Sequence, residues 1–241
     1  MVKQQPDLIV AGGNFAIGAV RKATSTIPLV AFTDDMLGSG FVDSLARPST
    51  NTTGVSLLAN ELDGKRQDLL IEAVPGLRQM AALADATTTS PQQLQTLQDA
   101  ARKRGIELSI HRIRSPGEIA SALDAAKASD AGALNILASP LLFGNQKLII
   151  ERSAALRLPA IYQWPETAEQ GGLIGYGPRL EQLWREIIAG QAVKILRGAK
   201  PADIPVQQPT KFELVINLQT ARALGHEVPA GLVLRADKLI E

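Results

Sequence analysis

The sequence contains no cysteine and only two histidines among its 241 residues. The missing thiols exclude disulfides, thiolate metal sites and a cysteine nucleophile. His111 ends a predicted strand and His226 follows a helix-ending glycine, positions where surface or capping roles are commoner than catalysis. No arrangement of serine, histidine and aspartate indicates a triad. We therefore expect a protein that is not an enzyme.

The charges nearly cancel, with 25 lysines and arginines against 24 aspartates and glutamates. No basic stripe is present, so we expect no nucleic-acid partner. No apolar run approaches the ~18 residues of a membrane span. The first six residues, MVKQQP, lack the apolar region of a signal peptide, and the chain as written is expected in the cytoplasm.

One pattern occurs twice along the chain, first at Asp7–Phe32 and again at Ala131–Gln163. Each copy reads as a strand, a turn, a helix and a second strand, which opens at Pro28 in the first copy and at Pro159 in the second. Proline cannot donate to a strand ladder and is tolerated at the first position of a strand. The repeat predicts two related lobes.

Strands that alternate with helices of ten or more residues predict an α/β fold with parallel, doubly wound sheets. We expect two flavodoxin-like lobes: lobe one at 1–58 plus 198–241, and lobe two at 59–197. A long helix at 180–196 is predicted to leave lobe two. An eightfold barrel would also accommodate the number of units, but the two-copy symmetry argues against it.

The two copies differ in what precedes them. Residues 78–130 carry two strand–helix units of lobe two for which lobe one has no counterpart. We therefore expect lobe one to be truncated at its N-terminal side and to expose strand edges. Exposed edges pair readily with other chains, so self-association is predicted.

Ligands of open parallel sheets bind at the carboxyl ends of the strands. Most of the few aromatic residues of this chain follow predicted strand ends, beside glycine turns and small polar residues. An alternative role for some of them is to cover the sheet ends, and the glycine at position 13 is also explained by the turn it occupies. The predicted ligand-binding residues are Gly13, Asn14, Phe15, Asp34, Asp35, Thr87, Thr88, Ser139, Gln163, Trp164 and Tyr176.

The acidic pair Asp34 and Asp35 has three interpretations. It could hold Mg²⁺ in an enzyme, bind the ammonium group of a ligand, or cap a turn. A metal site needs a third carboxylate or a phosphate-binding element, and lobe one has no evident candidate. No metal and no cofactor are expected.

Several segments resemble the ABC-transporter substrate-binding proteins of the type I periplasmic-binding fold, whose members include tryptophan- and tyrosine-type binders. The segments that carry the resemblance are Ala23–Pro28, Ser44–Pro48, Asn51–Gly54, Leu158–Tyr162, Gly171–Leu173, Tyr176–Pro178, Gly198–Val206 and Gln208–Asn217. The resemblance implies two lobes hinged about a cleft that closes on a small solute, a membrane permease as partner and a periplasmic location.

The chain departs from that family in three places. Members begin with a signal peptide and two further strand–helix units, carry a threonine or serine more often than Asn14, and often have Gly-Asp-Pro-Val where this chain has Thr33–Met36. The identity of the solute therefore does not transfer. The resemblance implies a solute-binding component of an importer for a small organic solute, for example an amino acid or a similar carboxylate. The alternative is a cytoplasmic ligand sensor or partner-binding module of the same fold.

Overall fold

The chain folds into two compact units in the computed structural model, which describes residues 2–241. Unit 1 comprises the residues up to Ala59 together with Leu180–Lys211, and unit 2 comprises Asn60–Arg179 together with Phe212–Glu241. The chain therefore passes from one unit to the other three times.

Unit 1 is built on a three-stranded parallel sheet in the order β1-β2-β3. Gly12 is level with Phe32 in the first pair, and Phe32 is level with Val55 in the second. A 3₁₀ turn precedes the sheet and another lies in the returning segment. The elements are 3₁₀ Val2–Gln4, β1 Ile9–Gly12, α1 Asn14–Ala23, β2 Leu29–Thr33, β3 Thr52–Ser56 and 3₁₀ Pro201–Asp203.

The two edges of the unit 1 sheet differ. The outer edge of β3 is covered, because Gln207 forms a parallel bridge to Val55 and its N–H donates to the Gly54 carbonyl at 2.9 Å. Within the described residues β1 pairs only with β2, and Val10 on β1 is 42% exposed. The core of this unit is formed by buried side chains from the sheet, from α1 and from the turn after β2, including Ile9, Ile17, Leu29 and Met36.

The helix that begins at Leu180, where the chain enters unit 1, changes its hydrogen-bonding pattern along its length. It starts as α8 (Leu180–Gln182), continues as a π-helical segment (Leu183–Ile188) and ends as α9 (Ala189–Leu196). The predicted helix over 180–196 is confirmed, but the sequence analysis did not anticipate the π segment.

Unit 2 contains a seven-stranded sheet in the order β10-β9-β8-β7-β6-β4-β5. All pairs are parallel except that of β8 with β9, which is antiparallel. The strands are β4 Gln79–Asp85, β5 Glu107–Ile113, β6 Leu134–Ile136, β7 Ala160–Tyr162, β8 Ile174–Gly177, β9 Glu213–Asn217 and β10 Lys238–Ile240.

The helices of unit 2 begin and end at residues that suit those positions. Ser90 accepts a hydrogen bond from the N–H of Gln93 at the start of α3, and Gly225 ends α10 in the left-handed conformation, with φ 68°. The helices are α2 Ala59–Ala73, α3 Pro91–Lys103, 3₁₀ Pro116–Glu118, α4 Ile119–Ala128, α5 Pro140–Gly144, α6 Gln146–Ala155, α7 Pro165–Glu169, α10 Leu218–Leu224 and α11 Ala230–Val233.

The structure corrects the predicted lobe boundaries in two places. Residues 212–241, predicted for lobe one, belong to unit 2, because β9 pairs with β8 over Glu213–Asn217 and β10 pairs with β9. Residues 180–197, predicted for lobe two, belong to unit 1. The sheet of unit 2 accordingly has two strands more than the five predicted for it.

The predicted α/β class with parallel-dominated sheets is confirmed. Both copies of the repeat form the predicted elements, with β1, α1 and β2 in the first copy and β6 to β7 in the second. Over residues 2–241, none of the helices combines the length and the apolarity needed to span a membrane.

Candidate functional site

In unit 1 the predicted site residues gather where β1 passes into α1. Gly13 adopts φ 79°, which glycine tolerates without strain, and its N–H donates to the carbonyl of Phe32 at 2.9 Å. Gly13 is also the residue before the first turn of α1, and it has no side chain with which to cap the N–H groups there. An anionic group is favoured at such a helix start.

Asn14 and Phe15 form the first turn of α1. The Asn14 side-chain oxygen accepts a hydrogen bond from the Thr33 hydroxyl, and its Nδ2 donates to Ser39 Oγ at 3.2 Å. Asn14 is thus oriented by the end of β2 and by the turn that follows. Phe15 is 93% exposed, which is unusual for so large an apolar side chain.

Asp34 and Asp35 follow β2 at the same edge of the sheet as the turn after β1, because the two strands are parallel. Asp35 Oδ1 accepts a hydrogen bond from the N–H of Gly38 at 2.8 Å, so this carboxylate caps the turn. The carbonyl of Asp34 accepts from the N–H of Leu58 at 3.0 Å. Throughout residues 2–241, histidine, aspartate and glutamate side chains form no group of three that could hold a metal ion.

In unit 2 the Asp85 carboxylate joins two loops at the carboxyl edge of the sheet. Asp85 Oδ1 accepts from the N–H and the hydroxyl of Thr87 at 2.8 and 2.6 Å, and Oδ2 accepts from the Ser139 hydroxyl at 2.7 Å. Burial alone would raise the pKa of the Asp85 carboxyl, but these hydrogen bonds together lower it below its ordinary value. Thr87 and Thr88 are exposed, whereas Ser139 is buried.

A fully buried ion pair lies beneath the same edge. Arg66 Nη2 donates to Asp63 Oδ1 at 2.6 Å, and both side chains have no exposed surface. Asp63 also accepts from the N–H of Ala138, and Arg66 Nη1 donates to the Tyr176 carbonyl at 3.1 Å. Because burial disfavours its charged form, the pKa of Asp63 is raised even though Arg66 opposes the shift. The pair thus contacts both the loop after β6, at Ala138, and the end of β8, at Tyr176.

The remaining predicted residues lie just after β7 and at the end of β8. Trp164 is 5% exposed and meets Phe143 edge to face, with ring centroids 5.9 Å apart. Its indole Nε1 is buried and has no hydrogen-bond partner among the described residues. Tyr176 is half-buried and stacks on Phe212, and burial raises the pKa of its hydroxyl. Gln163 is half-buried, and its carbonyl leaves no room for a side chain at position 177.

Within each unit the structure brings the predicted residues to one edge of the sheet. Sequence analysis missed Asp63 and Arg66, which the i,i+3 spacing of opposite charges on a helix could have indicated. It also did not include Trp184 among the predicted site residues. In the structure the Trp184 ring meets the Phe32 ring at 72°, with centroids 5.2 Å apart, at the end of β2.

Comparisons with known proteins agree with this architecture. The chain is 26% identical over 229 residues, 92% of its length, to the tyrosine-binding protein of Clostridioides difficile strain R20291. It spans 64% of the length of that relative.

Two solved structures are similar over nearly the whole chain. The ABC domain from Streptococcus pneumonia in complex with L-Trp has a TM-score of 0.83 and 25% identity, covering 97% of this chain and 81% of the other. A conserved domain protein from Vibrio cholerae has a TM-score of 0.88 and 24% identity, covering 99% and 80%. The predicted periplasmic-binding type of fold is thereby confirmed.

The family model for ABC transporter substrate binding proteins matches residues 1–240. This match takes in both units, including the residues at the strand ends of each sheet. The chain therefore belongs to the ABC transporter substrate-binding protein family.

Proposed function

We propose that this protein is the solute-binding component of an ABC-type importer and that its solute is an amino acid, or a similar carboxylate, with an aromatic part. The observation that carries the proposal is the exposed Phe15 at the start of α1, beside N–H groups that Gly13 cannot cap. These N–H groups suit a carboxylate, and the phenyl ring offers an apolar surface to a second ring. The named ligands of the two relatives, tyrosine and L-Trp, carry both groups.

The other predicted residues suit the rest of such a solute. Asp35 is exposed and carries a negative charge that attracts the solute ammonium group. In unit 2 the exposed hydroxyls of Thr87 and Thr88 offer polar contacts and the half-buried Tyr176 offers an aromatic one, whereas Trp164 is buried and acts through Phe143, whose ring it meets edge to face. Binding, rather than catalysis, is the proposed activity.

Calorimetric titration tests the proposal. We expect saturable binding of L-tyrosine or L-tryptophan, and binding of L-tyrosinamide at least tenfold weaker because the amide lacks the carboxylate. Phe15→Ala is expected to weaken binding of the aromatic amino acids about tenfold, since a buried aromatic contact is worth roughly 0.5–1.5 kcal/mol beyond its area.

A matched control for the loss of Phe15 is Leu234→Ala, because Leu234 is also a large, highly exposed apolar residue, at 86%. This variant should bind as the wild type does. Equal binding of the acid and the amide would contradict the role given to the start of α1. No binding of any aromatic amino acid would contradict the proposed function.

The permease and the location belong to the same proposal. An importer component works outside the cytoplasmic membrane and delivers its solute to a membrane permease, and the family match supports that assignment. Self-association through the edge of β1 stays a prediction, which light scattering of the purified chain can test.

A further inference from the structure

The π-helical segment explains how Trp184 reaches the end of β2. Leu183 and Ile188 are both buried although they are five positions apart, a spacing that an α-helix would place on different faces. The i→i+5 repeat of a π segment brings both to the same face. Trp184 then stands beside that face, 40% exposed. π segments occur frequently at functional sites.

Phe32 gives Trp184 a fixed support. A Cβ at Gly12 would lie 2.2 Å from the Cζ of Phe32, so the phenyl ring occupies the space that a side chain at position 12 would take. Trp184 meets this ring edge to face, with centroids 5.2 Å apart. The indole is therefore held against the Phe32 ring, which itself packs over Gly12 of β1, in one of the favoured aromatic geometries.

The helix that carries Trp184 is anchored to β3 through Gln191. Gln191 is buried, and its Nε2 donates to the carbonyl of Gly54 at 3.1 Å and to that of Pro205 at 3.3 Å. Ile188 and Ile195 are buried as well. These contacts fix the helix to β3, so the exposure of Trp184 is a property of the folded unit.

Trp184 is linked to the start of α1 through Phe32. Phe32, its ring partner, accepts a hydrogen bond at its carbonyl from the N–H of Gly13. Phe32 therefore contacts Trp184 through its ring and Gly13, in the turn before Asn14 and Phe15, through its carbonyl. A pre-positioned, partly exposed indole that is linked in this way to a carboxylate-favouring helix start suits the recognition of an aromatic amino acid.

We propose that Trp184 is a specificity-determining residue, whose exposed indole packs against the aromatic part of the solute in unit 1. The inference rests on the proposed function, since it assigns a further contact to the same solute. It explains why the helix over 180–196 contains a π segment at the level of the strand ends. Phe32 is a positioning residue, because its ring packs edge to face with the indole.

Three variants measured by calorimetry test the inference. Trp184→Leu should weaken L-tyrosine and L-tryptophan binding about three- to tenfold, matching the energy of an aromatic pair. Trp184→Phe should restore most of that loss. Val193→Ala is the matched control, because Val193 lies on α9 of the same helix and is exposed to a similar degree, 44%; it should bind as the wild type does.

A spectroscopic measurement on the unaltered sequence accompanies these variants. The chain has two tryptophans, so protein labelled with 5-fluorotryptophan gives two fluorine resonances, and Trp184→Phe identifies that of Trp184. Adding L-tyrosine should shift the Trp184 resonance. If the wild type binds and that resonance does not move, or if Trp184→Leu binds with unchanged affinity, the inference is overturned while the proposed function stands. Absence of binding by the wild type overturns both.

Discussion

At the scale of single residues, Asp85 has the clearest organising role in unit 2. It is 2% exposed, and its two oxygens accept hydrogen bonds from the loops that carry Thr87 and Ser139. An asparagine at this position would keep the shape but lose the charge that strengthens these bonds. Asp85 therefore both stabilises unit 2 and positions two predicted binding residues, Thr87 and Ser139.

Asp85→Asn is expected to lower the free energy of unfolding by ~1–2 kcal/mol at neutral pH, because hydrogen bonds to charged groups are worth that much. The Asp85 pKa is lowered in the folded protein, so its stabilisation is present above the unfolded-state pKa and is lost as the pH falls through the lower folded-state pKa. The gap between variant and wild type should therefore shrink below about pH 4.

Urea unfolding at several pH values measures this gap. Asp99→Asn is the control, because Asp99 is 47% exposed in its pair with Arg102, and it should change stability by less than ~0.5 kcal/mol. A difference between Asp85→Asn and wild type that stays constant from neutral to acid pH would count against the charged role of Asp85.

At the scale of elements, β3 depends on a glycine in its middle. Gly54 has φ 149°, and a Cβ there would lie 1.7 Å from the carbonyl oxygen of Ala31 on β2. A carbonyl in a strand pair cannot move aside as a flexible side chain can. The residue allows β2 and β3 to approach, and its own carbonyl receives the Gln191 amide that anchors α9.

Gly54→Ala is expected to destabilise the protein by ~3 kcal/mol, since both the clash and the backbone conformation oppose a side chain. Gly18→Ala is the control in the same unit: Gly18 lies within α1, and no described heavy atom lies within 4 Å of the place a Cβ would take. That variant should be neutral or more stable by up to ~1 kcal/mol. Thermal unfolding compares them, and similar midpoints would refute the argument.

At the scale of the whole molecule, an ion-pair network of unit 2 lies where the chain leaves for unit 1 and where it returns. Arg179 is the last residue of unit 2 before the chain enters unit 1, and it donates to Glu213 at 2.6 Å and to Glu169 at 2.7 Å. Glu213 begins β9 just after the chain returns. Lys238 on β10 also pairs with Glu169. The network joins α7, β9 and β10 to the end of β8.

Arg179→Met should lower the free energy of unfolding by ~1 kcal/mol, since each partly exposed pair is worth a few tenths to one kcal/mol. Burial alone would raise the pKa of Glu169, but Lys238 and Arg179 lower it, so this stabilisation is present above its unfolded-state pKa and disappears in acid. Arg185→Met removes a pair that is 79% and 69% exposed and should have almost no effect. Equal losses in both variants, measured by urea unfolding, would contradict this.

Local pattern predicted much of the fold because strands, turns and caps depend on neighbouring residues. Pro28 and Pro159 marked strand starts, Gly225 marked a helix end, and the alternation of strands with helices indicated parallel sheets. These signals need no knowledge of the rest of the chain. The same signals located the strand ends and, with them, the predicted residues from Gly13 to Tyr176, whose role in binding stays a prediction.

The sequence by itself determined the α/β class, the order of elements and the family. Only the tertiary structure decided that β9 pairs with β8, that the helix from Leu180 packs in unit 1 and that Trp184 meets Phe32. The reason is physical: a strand or a helix face is encoded by adjacent residues, whereas its partner is chosen by contacts among residues far apart in the chain. The buried pair of Asp63 and Arg66 was likewise decided by tertiary structure, because Arg66 contacts Tyr176, which lies 110 positions further along the chain.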